Sequence, residues 1–154
     1  MKKILTLLSL TLSMTAFANS VVQSDTMNIN AKIVKPLTVS HDGHIQFGNL
    51  VQNSGHSEKV SRNFFINGTP GQKIEFKIND QKLDSFSNSH LTRVGGSETL
   101  DFYTSNRKVT NGDISNPTLD NNGNLTFSFD SVVNVTNLPV GEYTGSLKVA
   151  VKYN

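Results

Sequence analysis

The side chains that could do chemistry in this sequence fall into a few short clusters. His41-Asp42-Gly43-His44 sets two imidazoles and a carboxylate within four residues, a donor set of the kind that holds zinc. Such a site takes three or four protein ligands, and the other two histidines, His56 and His90, are distant in the chain; the cluster therefore reads as a solvated turn at Asp42-Gly43. Asp120-Asn121-Asn122-Gly123 offers oxygen ligands for calcium, but its glycine is not at EF-hand spacing and no glutamate closes the loop. Asn122-Gly123 instead suits a hairpin turn, since both residues tolerate positive φ. Serine, histidine and aspartate are all present without a GxSxG elbow, an HExxH helix or a phosphate-binding glycine loop, and Gly95-Gly96 reads as a chain reversal. The sequence has no cysteine, which removes thiolate nucleophiles, CxxC pairs, thiolate metal sites and disulfides. No catalytic constellation can be named, so the chain is expected not to be an enzyme and to use no metal or cofactor.

Three sequons, Asn67-Gly68-Thr69, Asn124-Leu125-Thr126 and Asn134-Val135-Thr136, match the N-glycosylation acceptor pattern and read as strand and turn polarity. The basic residues Lys73, Lys77, Lys82 and Arg107-Lys108 are scattered, unlike the dense patches interleaved with aromatics that nucleic acid demands. Charge arithmetic points the same way. Lys2 and Lys3 precede an apolar stretch over residues 4–15 and the small-residue site Ala16-Phe17-Ala18, the three parts of an export signal in order. The stretch is shorter than the roughly 20 residues needed to span a bilayer. Cleavage is expected after Ala18. Removing Lys2 and Lys3 from the 14 basic residues leaves 12 against 12 acidic ones, so the exported chain is formally neutral and no nucleic-acid partner is expected.

The elements that would position these residues are strands. Met27, Ile29, Ala31 and Ile33 are apolar at every second position before Pro36, the period of a strand with one buried face. Residues 37–39 and 45–47, residues 60–66 before the turn Asn67-Gly68-Thr69-Pro70-Gly71, the alternation Ile74, Phe76, Ile78, the pair Leu100 and Phe102, and the run Leu125, Phe127, Phe129 continue the pattern. The last segment is the most regular, with Tyr143, Gly145, Leu147, Val149, Val151 and Tyr153 on one face of a single strand. No stretch repeats at i, i+3, i+4, i+7 for long enough to argue a core helix. Seven to nine short strands in a chain of 154 residues predict an all-β antiparallel sandwich of Greek-key type, with closure into a barrel as the open alternative.

Two stretches resemble a family. The ending from Leu138 to Asn154 resembles that of chaperone-usher fimbrial subunits, which carry a glycine fourteen residues from the C-terminus, alternating apolar residues and a penultimate tyrosine; Gly141 and Tyr153 occupy those positions. The run Met27-Asn28-Ile29-Asn30-Ala31-Lys32-Ile33-Val34-Lys35-Pro36-Leu37 resembles the donor segment of cysteine-free colonisation-factor pilins. Ile45-Gln46-Phe47-Gly48 and Gly68-Thr69-Pro70-Gly71 are similar to a family of secreted pilin-like domains of unknown function.

The resemblance implies an immunoglobulin-like sandwich that lacks its last strand and is completed by a neighbour's N-terminal segment, a mode of strand addition in which main-chain hydrogen bonds give affinity and alternate side chains fix register. It implies Met27, Ile29, Ala31 and Ile33 as the donor, with Gly141, Tyr143, Leu147, Val149, Val151 and Tyr153 as the strand that pairs first with a periplasmic chaperone and then flanks the donor. Other pilin subunits in a homopolymer, an outer-membrane usher and a host receptor are the further partners it implies, and a surface fimbria the destination. The expected organisation is a signal over residues 1–18, a donor segment or first strand over 19–36, and the sandwich over 37–154. Two alternatives stay open: residues 27–33 as the first fixed strand, with 19–26 as donor, and a self-complete secreted sandwich acting as a binding module or minor adhesin.

Overall fold

The computed structural model of the chain describes residues 23–54, 57–86 and 88–154. The expected export signal with Ala16 and Ala18, and residues 19–22 of the alternative donor, lie outside the described residues. Contacts divide the chain into a unit through Lys32 and a second unit, Ile33–Asn154. In the first, residues 23–32 carry neither strand nor helix and every one is exposed. The alternation of Met27, Ile29 and Ala31 therefore does not build a strand within the described fold. Period two supplies a face to bury, but a ladder also needs a neighbour for each N–H and C=O, and no strand pairing includes these residues.

The second unit is built from strands alone. In chain order they are β1 (Thr38–His41), β2 (Ser57–Asn67), β3 (Ile74–Ile78), β4 (Gln81–Lys82), β5 (Asn88–Arg93), β6 (Thr99–Val109), β7 (Gly112–Asp113), β8 (Asn116–Pro117), β9 (Asn124–Asn134), β10 (Tyr143–Thr144) and β11 (Val149–Tyr153). All pairings are antiparallel. Six strands form a strongly curled, open sheet in the order β1-β2-β9-β6-β5-β10, and β11-β3-β4 and β7-β8 form two small sheets. The result is sandwich-like, with the expected alternation seen most fully in β9, where Leu125, Phe127, Phe129, Ser131 and Val133 point inward and are buried.

Burial of large side chains holds the two main sheets together. Ile74, Phe76 and Ile78 of β3 are 0–2% exposed and pack with Ile66, Leu125, Phe127 and Phe129 of the curled sheet, each such burial contributing about 1.5–3 kcal/mol. Phe64, Phe129 and Phe127 stack in series at centroid distances of 5.9 and 5.4 Å. A second, smaller cluster of Leu100, Phe102, Val133 and Val135 fills the other end, and Leu147 packs against both.

Two turns differ from the sequence reading. Asn122-Gly123 does turn the chain, with Gly123 at φ 82° and the Asp120 carboxylate accepting from the Asn122 and Asn124 N–H groups at 2.8 Å. It joins no hairpin, because β8 before it pairs with β7 and not with β9. Two-residue hairpins are instead Ile114-Ser115 between β7 and β8 and Asn79-Asp80 between β3 and β4, the latter with both residues at positive φ (48° and 63°), as a type I′ loop requires. On the outer face, a register shift in β6 between Ser105 and Lys108 places Asn106 at φ 49°. Its amide donates to Asp130 at 2.6 Å, alongside Ser61 at 2.5 Å and Lys59 at 3.3 Å. These hydrogen bonds, Ser61 first and then Asn106, hold the Asp130 carboxyl below its ordinary range. Arg107 turns the other way and donates to the carbonyls of Leu83 and Phe86.

Candidate functional site: an apolar groove beside an open sheet edge

The site follows from what the two main sheets leave unpaired. β1 pairs with β2 alone and β11 pairs with β3 alone. On β1, Val39 and His41 lie opposite Ile66 and Phe64 and so share the inward face, yet Val39 is 38% exposed. On β11, Val149, Val151 and Tyr153 are half-buried between the exposed Ala150 and Lys152. Inward apolar side chains are thus left partly bare along both margins. Such edges and bare apolar surface are what native folds normally cover.

Beyond the end of β1, which reaches it at His41, lies a groove of about 1030 Å³, at the upper end of the roughly 300–1,000 Å³ usual for ligand clefts. Phe64, Leu91, Phe102 and Phe129 contribute to its walls. One side is residues 43–50, where Ile45, Phe47 and Leu50 are half-buried among exposed neighbours. The other is residues 145–147. Among the described residues no backbone–backbone hydrogen bond involves either segment. Apart from the Gly43 N–H, which donates to His41 Nδ1, and the His44 carbonyl, which accepts from Arg62, their main-chain polar groups are available to a strand laid between them.

Outside the groove, where β11 finishes, the Tyr153 hydroxyl donates to the Lys35 carbonyl at 2.6 Å and accepts from the Thr69 N–H at 2.8 Å, while the Lys35 N–H donates to Thr69 Oγ1 at 2.7 Å. Gly68 leaves room for this: a Cβ there would meet the Tyr153 hydroxyl and come within 2.7 Å of Leu37 Cδ2. On the groove wall Gly141 lies against Arg93, whose Nε a Cβ would approach to 2.7 Å, and Arg93 donates to the Val140 carbonyl at 3.0 Å. The Tyr143 hydroxyl donates to the Pro139 carbonyl at 2.9 Å.

Charge enters the groove from one wall. Arg62 lies opposite Phe129 in the β2–β9 register and so points inward, donating from Nε to the His44 carbonyl at 2.7 Å. The rings of His41 and His44 lie 5.5 Å apart beside it. Asp42 faces away: it accepts from the Asn63 N–H at 3.1 Å and amide at 2.7 Å. Burial raises its pKa, and these two bonds with the Arg62 charge outweigh that and hold it below the usual value. The turn read from the sequence is present, and its imidazoles line the groove rather than join a third ligand; among the described residues no group of three His, Cys, Asp or Glu is placed to hold a metal ion.

The sequence-predicted residues are distributed unequally. Met27 (87% exposed), Ile29 (89%), Ala31 and Ile33 (97%) stand exposed. The C-terminal run is not one strand. Gly141 and Tyr143 lie at or beside β10, which pairs with β5 in the curled sheet, whereas Val149, Val151 and Tyr153 form β11 in the small sheet. Leu147 sits at the crossing between them, where the Lys148 N–H and C=O are held by Asn79 at 2.9 and 2.8 Å. Sequence reasoning missed Val39, Arg62, Phe64 and the clasp residues Lys35 and Thr69. Comparison of the chain with protein-family models, with curated proteins and with solved structures finds no match.

Proposed function

We propose that the chain is a structural subunit of a bacterial surface fimbria, an immunoglobulin-like Greek-key sandwich missing one strand and polymerised by donor-strand exchange. One observation carries this reading: an apolar groove walled by residues 43–50 and 145–147, which no strand pairing covers, coexists with an exposed apolar-alternating segment, residues 27–33, in the same chain. Met27, Ile29, Ala31 and Ile33 of one subunit enter the groove of the next, between residues 43–50 and 145–147. Each subunit then gives at one place and receives at another, a heterologous contact that does not close and so builds a filament. Export through the periplasm, a chaperone occupying the groove before assembly, an outer-membrane usher and adhesion to a host receptor belong to the same reading.

Deleting residues 20–34, and separately replacing Val151 and Tyr153 by Asp, tests it. Both variants are expected to yield no polymers that survive unheated detergent electrophoresis; polymers formed by either would refute the reading. The inward Arg62 with His41 and His44 favours a second reading, a self-contained secreted binding module or minor adhesin. That reading requires a stable monomer whose thermal midpoint is unchanged by an added peptide of residues 25–34.

A further inference from the structure

We infer that Tyr153 is a positioning residue for strand exchange: its hydroxyl clasps the root of the donor segment so that the segment cannot fold back into its own groove, which is left to a second copy of the chain. The inference rests on the donor-strand reading and adds to it a cause for exchange between subunits in place of self-insertion.

A groove and a segment that fits it, carried on one chain, would ordinarily find each other within the molecule. The effective concentration of a tethered partner reaches the millimolar range, so a subunit needs a reason to leave its own groove empty. Lys35 supplies the place to look. Its carbonyl accepts from Tyr153 at 2.6 Å and its N–H donates to Thr69 at 2.7 Å, so both of its backbone groups are held. Pro36 follows, fixing its own φ near −65° and confining Lys35 to extended conformations. β1 begins two residues later, at Thr38. To run back along β1 to its own groove, which begins at His41, the chain would have to reverse within residues 33–36. A reversal needs turn dihedrals that Lys35 before a proline resists, and it would take the Lys35 carbonyl or N–H away from its partner.

The clasp sits where β11 finishes, so the last strand and the root of the donor are joined by one side chain. Gly68 beneath the hydroxyl has no side chain to displace it, and the Thr69 N–H fixes the oxygen from the other side at 2.8 Å. The phenol ring packs against the main core independently of the hydroxyl. The hydroxyl can therefore be removed with the ring left in place.

The test uses monomers of the full exported chain and a labelled peptide of residues 25–34, with uptake read by fluorescence anisotropy. Tyr153→Phe keeps the ring and loses both hydroxyl bonds, which at the usual net value of a hydrogen bond shifts the balance between open and self-filled groove by roughly tenfold. Peptide uptake is expected to fall by that factor, and polymer yield with it. Pro36→Gly, which leaves the hydroxyl intact and frees the reversal, is expected to act in the same direction. Adding Ile29→Asp to each variant disables its own segment and is expected to restore uptake to that of Ile29→Asp alone, a recovery that simple damage to the groove would not give. Unchanged uptake in Tyr153→Phe, or a loss that Ile29→Asp does not restore, overturns the clasp while leaving strand exchange standing. A wild-type chain that takes up no peptide overturns strand exchange itself, and the clasp with it.

Discussion

Replacing Ile29 by Asp separates folding from assembly. In the subunit Ile29 is 89% exposed, and substitutions at such positions stay within about 0.5 kcal/mol of neutral, so thermal unfolding of the monomer should not move. In the proposed joint the same side chain would be buried in the groove that Phe64 and Phe129 help to line. Losing its burial costs about 1.5–3 kcal/mol, and setting a carboxylate among apolar side chains adds at least about 2 kcal/mol more. Taken together as about 4–5 kcal/mol, this weakens the joint by three orders of magnitude or more, at about 1.4 kcal/mol per tenfold. Asn30→Asp is the control, since residue 30 has the opposite parity and would face out of the groove; assembly should stay within about tenfold of wild type. Sedimentation of polymers and detergent-resistant ladders on unheated gels measure the outcome. Wild-type assembly by Ile29→Asp, or equal damage from Asn30→Asp, would refute the assignment of the alternating face.

Three further outcomes concern the fold that carries the groove. Gly123→Ala places a side chain at φ 82° and against the Gly68 carbonyl; it should destabilise by about 2–4 kcal/mol in urea unfolding, and a loss below about 0.5 kcal/mol would contradict the packing described. Leu147→Ala, at a half-buried position touching both core clusters, should cost about 1–2 kcal/mol, less than the 2–5 of a fully buried site, and should lower peptide uptake as well. Glu75 bonds Lys152 at 2.8 Å and Lys77 at 2.9 Å, which brings its pKa from 4.5 down to about 2. Because the folded value lies below the unfolded one, its contribution is present above about pH 4.5 and is lost as pH falls toward 2. Thermal midpoints of wild type and Glu75→Gln should therefore converge across that window, and a gap that stays constant would exclude the ion pair as its source.

The strand content was legible in the sequence wherever one face of a strand is buried and the other is wet. Ile74-Phe76-Ile78 and Leu125-Phe127-Phe129 fall where period two places them, because each has a packed sheet behind it and a ladder on at least one side. Residues 27–33 show the same period and form no strand in the described fold: alternation records which face a segment will bury, not whether its partner is in the same chain. The C-terminal run misled for a related reason. Its alternation continues unbroken from Tyr143 to Tyr153, and nothing in that pattern marks the crossing from one sheet to another, which depends on Asn79 holding Lys148 from a distant turn. Arg62 was hidden because an inward charge breaks no local rule when the interior it faces is an open groove. The Tyr153–Lys35–Thr69 clasp joins residues 34 to 118 positions apart, a distance across which one sequence carries no local signal.

The two unpaired walls of the groove have a mechanical consequence for the proposed fibre. A strand seated between residues 43–50 and 145–147 would be bonded along each wall and aligned with the direction in which the proposed subunits follow one another. Tension on such a fibre would act parallel to that strand and load its cross-strand bonds together in shear, whereas a peeling load would break them one at a time. In a chain with no cysteine, and so no covalent cross-link of that kind to share the force, the geometry of loading sets the pull a joint withstands.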